Sequence, residues 1–179
     1  MTKKLIFSGF GGQGVLMMGY LLAFSAMRDG KNVTYLPAYG AEVRGGTANC
    51  TVVVSDEEIF SPVASSPDYV IVMNKPSLKK YEGVVAPKGI MFVNSSLIDA
   101  NPNRYDIEVL KIPVNDIAKE IGSERVINMI MLGAVAEKTA VTTLESLEFA
   151  LREVIKGKEQ FMEINKKGLI AGAEYVKRS

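Results

Sequence analysis

The chain has 179 residues, a formal net charge of +1 from 21 basic and 20 acidic side chains, no histidine and one cysteine, Cys50. The near-even charge gives no electrostatic case for nucleic acid or membrane as a partner. The missing histidines remove the usual general base and the commonest metal ligand, and a single cysteine excludes an intrachain disulfide or a cysteine-ligated iron–sulfur cluster built from this chain. A hydrophobic content of 47% with 23% charged residues is ordinary for a globular domain. Residues 1–179 are read as a single domain, and the cysteine usage fits the cytoplasm, where thiols stay reduced.

The opening Met1-Thr2-Lys3-Lys4-Leu5-Ile6-Phe7 begins like a signal peptide, but its apolar run breaks at Ser8-Gly9, too early for the apolar core of one. The longest oily stretches, 15–27 and 126–136, fall short of the about 18 residues that span a bilayer. Residues 4–8 are predicted as a central strand covered on both faces. The strand runs into Gly9-Phe10-Gly11-Gly12-Gln13-Gly14, and a helix is expected over 15–28, with Gly30 placed to end it.

Glycines let a ligand approach the backbone closely. The first-turn N–H groups of the helix that follows lack partners, and its dipole favours an anion. A phosphate or diphosphate is the natural occupant. Gly9, Gly11 and Gly14 also satisfy G-x-G-x-x-G between strand and helix. The dinucleotide form of that motif wants an acid about 20 residues on, ending the second strand. That strand reads Asn32-Val33-Thr34-Tyr35-Leu36-Pro37 and has none; the next carboxylate is Glu42. The pattern therefore favours a phosphate cradle over NAD.

The helix itself carries Val15, Leu16, Met17, Met18, Leu21, Leu22, Phe24 and Met27 on almost every side, so it is buried or faces a partner with its second side. The second strand is predicted over 32–36 with its end at Pro37, followed by a Gly-rich loop. From 47 to 54 residues alternate, with Ala48, Cys50, Val52 and Val54 on one face. Ser55-Asp56-Glu57 turns the chain toward Ile59-Phe60, which predicts an antiparallel pair there and a mixed sheet. Further strands are expected at 68–73, 89–93 and 105–112, with a short helix at 76–81 opened by Pro76. Helices then follow at 115–121, 123–138, 142–155 and 158–176, the third with a capping box of Thr142 and Glu145. The predicted fold is α/β: a three-layer α/β/α Rossmann-like domain with a mostly parallel, mixed sheet and a helical C-terminal third. In such sheets ligands collect outside the carboxyl ends of the strands. Asn74, Asn94 and Ser95 sit at such ends and could line the crevice of the glycine loop, although polar strand ends also arise from turn chemistry alone.

Gly9-Phe10-Gly11-Gly12-Gln13-Gly14-Val15, followed by Tyr39-Gly40-Ala41-Glu42-Val43-Arg44-Gly45-Gly46-Thr47-Ala48-Asn49-Cys50, resembles the gamma subunit of 2-oxoacid:ferredoxin oxidoreductases, and the likeness covers the whole chain. The wording of 42–50 is most similar to the 2-oxoglutarate type. The resemblance implies a multi-subunit enzyme. Thiamine diphosphate on companion alpha and beta subunits attacks the 2-oxo carbon and carbon dioxide leaves. Electrons pass through iron–sulfur clusters of the partner subunits to ferredoxin, and coenzyme A captures the acyl group. A ferredoxin-like delta subunit is a further implied partner. The gamma subunit brings coenzyme A and helps close the site. Alone it is expected to catalyse nothing, so no catalytic or metal residue is assigned.

On that resemblance Gly11, Gly12, Gln13 and Gly14 take the diphosphate of coenzyme A through backbone N–H groups, with the Gln13 side chain as an extra donor. Val15 begins the helix whose dipole supports them. Arg44, Gly45, Gly46 and Thr47 form a second candidate element, because a guanidinium beside two glycines suits a phosphate or carboxylate. It could meet coenzyme A, the thiamine site or an acidic partner surface, or Arg44 could simply pair with Glu42 at the surface. Asn74 and Asn94 complete the candidate set. Cys50 reads as a small buried strand residue. Two other readings stay open: a stand-alone NAD- or flavin-binding protein, and a scaffold whose glycine loop is purely structural.

Overall fold

The structure, a computed structural model, describes residues 1–39 and 47–178. Among these residues, six strands and six α-helices follow in the order β1 (Thr2–Phe10), α1 (Val15–Arg28), β2 (Asn32–Tyr39), β3 (Thr47–Ser55), β4 (Tyr69–Val72), α2 (Lys75–Tyr81), β5 (Ile90–Asn94), β6 (Glu108–Ile112), α3 (Val114–Ile121), α4 (Ile127–Thr139), α5 (Leu144–Val154) and α6 (Met162–Arg178). The strands form one sheet in the order β2-β3-β1-β4-β5-β6. The run β1-β4-β5-β6 is parallel, and β3 lies antiparallel between β1 and β2. The sheet is mixed, as expected.

The antiparallel partners are not the expected ones. Segment 56–68 holds no strand, and Phe60 is 91% exposed. Both edges of β3 are already taken, by β1 and by β2, so β3 has no free edge for Ile59-Phe60 to pair with. The second strand also runs through Pro37 to Tyr39 instead of stopping. A proline without an N–H is tolerated there because β2 is an edge strand. The last strand starts later than expected, at Glu108, and Tyr105 is fully exposed.

Alternation along the strands builds two cores. Leu5, Phe7, Ile71, Met73 and Phe92 pack on one face with α1, α4, α5 and α6. Ile6, Val70, Val72, Met91 and Val93 point the other way, toward Leu78 and Tyr81 of α2 and toward Val85 and Ile98. The second outer layer is thus one short helix and irregular chain. On the thick side α4 and α6 touch backbone to backbone: a β-carbon on Gly133 would strike the Leu169 carbonyl, and one on Gly172 the Ile130 carbonyl.

α1 ends where Gly30 was placed to end it, with Gly30 at φ +80° and the Gly30 and Lys31 N–H groups donating to Met27 and Ala26 carbonyls. The cap of α5 falls one residue later than expected. Thr143 accepts from the Ser146 N–H at 3.1 Å, whereas the Thr142 hydroxyl donates to Asp29 at the end of α1. Docking against α1 has claimed the side chain that would have capped the helix. Among the described residues, no helix is long and apolar enough to cross a membrane.

Candidate functional site

The glycine loop leaves the carboxyl end of β1 and is held there by side-chain and backbone hydrogen bonds. Gly9 passes so close to Met73 and Val15 that a β-carbon would overlap both. Phe10 N–H donates to Gln13 Oε1 at 2.7 Å, and Gln13 N–H donates back to the Phe10 carbonyl at 3.1 Å. Gln13 Nε2 reaches across to the Met73 carbonyl at 3.1 Å, and Asn74 Nδ2 donates to Gln13 Oε1 at 3.4 Å. Gln13 therefore acts first as a staple between the loop and the end of β4. Its backbone N–H is turned inward and its amide is engaged by the protein, which departs from its expected role as an outward donor.

The other expected donors are open. Among the described residues, none supplies an acceptor to the N–H groups of Gly11, Gly12, Gly14 or Val15. Gly12 sits at φ +95° and Gly14 at φ +71°, conformations that side chains rarely adopt. A β-carbon on Gly11 or Gly12 would meet nothing within 4 Å, so the space over that part of the loop is clear of protein. Val15 is buried and starts α1, whose positive end lies under the loop.

Two residues that the sequence did not point to complete the recess. Asn128 of α4 packs so closely on the loop that a β-carbon at Gly14 would collide with its side chain. Arg125, in the 3-10 turn before α4, is exposed and forms no ion pair among the described residues. Together with Glu124 and Ile127 they close a recess of about 80 Å³ against Gly12, Gln13 and Gly14. No local pattern marks them, because their nearness to the loop is a tertiary contact across more than a hundred residues of chain.

Thr47 lies beside the loop, paired in register with Phe10 at the start of β3. Arg44, Gly45 and Gly46 lie outside the described residues. Asn74 and Asn94 do reach the same end of the sheet, yet both are buried, at 2% and 0% exposure. Asn74 Oδ1 caps α2 by accepting from Ser77 N–H at 2.9 Å. Asn94 Nδ2 donates to Asn115 Oδ1 at 2.8 Å and to the Met73 carbonyl at 3.4 Å, and its Oδ1 accepts from Ser96 N–H. Met73 O thus gathers Gln13 and Asn94, and the two asparagines brace the rim from beneath.

Cys50 is fully buried under α1, and burial pushes its thiol up to about 12 despite opposing hydrogen bonds with the Gly19 and Phe7 backbone. Among the described residues, no group of three or more Cys, Asp or Glu is placed to hold a metal ion.

Residues 4–175 match the family described as pyruvate ferredoxin/flavodoxin oxidoreductase, and the chain belongs to that family. Over 174 residues it is 39% identical to ketoisovalerate oxidoreductase subunit VorA of Methanothermobacter marburgensis, covering 96% of this chain and 36% of that protein. The chain therefore spans about a third of the length of its ketoisovalerate relatives. It is 34% identical to 2-oxoglutarate synthase subunit KorC of Methanocaldococcus jannaschii, covering 89% of this chain and 88% of that one. In solved structures it resembles the keto/oxoacid ferredoxin oxidoreductase gamma subunit of Geobacter sulfurreducens, with TM-score 0.86, 28% identity and 99% of both chains covered. It shares its fold with 31% of a chain of the 2-oxoglutarate:ferredoxin oxidoreductase of Magnetococcus marinus, over 99% of its own length at TM-score 0.91 and 23% identity, and that enzyme was solved with 2-oxoglutarate, coenzyme A and succinyl-CoA bound.

Proposed function

We propose that the chain is the gamma subunit of a cytoplasmic, multi-subunit 2-oxoacid:ferredoxin oxidoreductase and that it holds the diphosphate of coenzyme A on the loop of Gly11, Gly12 and Gly14. Alpha and beta subunits, with a ferredoxin-like delta subunit, are its partners, and ferredoxin is the acceptor of the assembly. Thiamine diphosphate and the iron–sulfur clusters sit in those partners and supply decarboxylation and electron transfer. This chain binds the acyl carrier, orients it and keeps water from the crevice. Among 2-oxoacids, 2-oxoglutarate is the substrate to test first, because the relatives of that name match over most of both lengths.

The observation that carries this reading is the row of unclaimed N–H groups at Gly11, Gly12, Gly14 and Val15, with clear space over Gly11 and Gly12 and beside them Arg125, which has no ion pair among the described residues. Main-chain donors at a helix start suit a diphosphate, and a guanidinium adds a charge-assisted contact. A dinucleotide fits less well. The insertion of β3 between β1 and β2 moves the second strand away from the loop, and that strand ends in Ala38-Tyr39 without a carboxylate for a ribose.

Gly12→Asp places a carboxylate where the diphosphate is held. In the assembled enzyme it should cost a few kcal/mol, on the order of a hundredfold in the KM for coenzyme A. Gly12→Asn carries the same backbone strain without the charge and separates the two effects. An aspartate variant with the wild-type KM would refute the assignment.

A further inference from the structure

A cavity of about 530 Å³ opens next to the loop recess, between the turn that precedes α4 and the segment that joins α5 to α6. That volume lies in the range of small-molecule sites, about 300–1,000 Å³. Val126, Ile155, Phe161 and Ile164 give it apolar walls, and Arg125 and Lys158 bring two cations to it. Arg125 lines both this cavity and the recess at the glycine loop, so the two spaces share one residue.

The charges are the informative part. On these elements Lys156 pairs with Glu153 and Lys166 with Glu148, whereas Arg152 and Lys167 have no ion pair among the described residues and do not line the cavity. Arg125 and Lys158 have no acidic partner among the described residues. The turn carrying Phe161 is pinned by Asn165 Nδ2, which donates to the Phe161 carbonyl at 2.8 Å, and the Phe161 ring remains 37% exposed. Apolar walls with an aromatic ring, two unmatched cations and a shared edge with a diphosphate cradle describe the complement of a nucleoside that carries an extra phosphate.

We propose that this cavity takes the adenosine 3′-phosphate end of coenzyme A, with the base against Phe161, the 3′-phosphate on Lys158 and Arg125 between that end and the diphosphate. The inference rests on the reading of the glycine loop as the diphosphate site. It adds Lys158 as the residue that tells coenzyme A from its 3′-dephospho form.

The test is equilibrium binding by titration calorimetry, on the complex purified through a tag on this chain. The probes are coenzyme A, 3′-dephospho-coenzyme A and 4′-phosphopantetheine. The wild-type complex is expected to prefer coenzyme A over the dephospho form by about tenfold, the order of one charge-assisted contact. Lys158→Ala should bring that ratio close to one, and Lys158→Arg should restore it. Phe161→Ala should weaken both adenosine ligands alike and leave phosphopantetheine unchanged. A wild-type complex without the preference, or a preference that survives Lys158→Ala, overturns the proposal. So does a Phe161→Ala variant that loses partner chains on size exclusion while retaining its affinity for coenzyme A, because a protein segment then fills the cavity. If Gly12→Asp weakens coenzyme A and Lys158→Ala leaves the ratio intact, the loop assignment stands and the cavity assignment falls. The opposite pattern removes the loop and keeps the cavity.

Discussion

Cys50 shows how far one residue's surroundings set its chemistry. Its sulfur lies where a β-carbon on Gly19 would collide with it, and its Sγ–H donates to the Val15 carbonyl at 3.5 Å. With the thiol pushed up to about 12, almost no thiolate exists at pH 8, and the thiolate is the reactive form. A charged thiol reagent should therefore leave the native chain unmodified for hours and label it fully in denaturant. Rapid labelling of the native chain would contradict the burial. Asp56 is the opposite case, an exposed carboxylate. Its hydrogen bond with Lys31, seconded by the N-terminal amino group, holds its carboxyl at about 2. The unfolded chain, with an ordinary carboxyl near 3.9, binds more protons in that interval, so this contribution is complete above about pH 4 and fades as pH falls toward 2. Thermal melts of Asp56→Asn should show a flatter acid limb than wild type, and salt should narrow the gap because both partners are in solvent. At this scale the loop glycines and Cys50 were legible, since strand, glycine run and alternation are local signals. Arg125 and Asn128 were not, because only the packing of α4 brings them to the loop. Thr142 departs from the local capping pattern for a related reason: its tie to Asp29 outweighs that pattern.

Between elements, the closest approach is that of α4 and α6. Alanine at Gly133 or Gly172 would press a methyl group into a main-chain carbonyl of the facing helix, which cannot rotate aside as a side chain can. Either substitution should lower unfolding free energy by about 1–3 kcal/mol or more in a denaturant titration. Gly83→Ala, where a β-carbon meets open space, should be close to neutral. Thr143→Ala removes the α5 cap and should cost about 1 kcal/mol, whereas a loss at Thr142 would act through the Asp29 tie instead. The helical pieces were readable to within a few residues because their apolar stripes repeat at the helical period. What the period could not supply was which strands pair. Residues 47–54 alternate as a half-exposed strand would, yet Val53 is fully buried as well, and that second buried face belongs to an interior strand.

For the whole molecule, the two cores share the same strands, with Leu5 and Phe7 on one side of β1 and Ile6 on the other. One set of hydrogen bonds therefore supports both, and we propose that the chain unfolds as a single domain. Far-ultraviolet dichroism and tyrosine fluorescence should then lose signal at one midpoint, and two separated midpoints would show independent units. The α/β class followed from the order of strands and helices. The insertion of β3 between the first two strands did not, since the pairing of β3 with β1 is a contact between segments far apart in the chain. The staple at Gln13 bears on how a ligand arrives. Because Phe10, Met73 and Asn74 already hold that amide, the loop need not freeze on association, and the entropic penalty of capture is small. If the loop holds coenzyme A as proposed, Gln13→Ala should slow its association and make its binding entropy more unfavourable, while the wild-type loop keeps one shape, empty or filled.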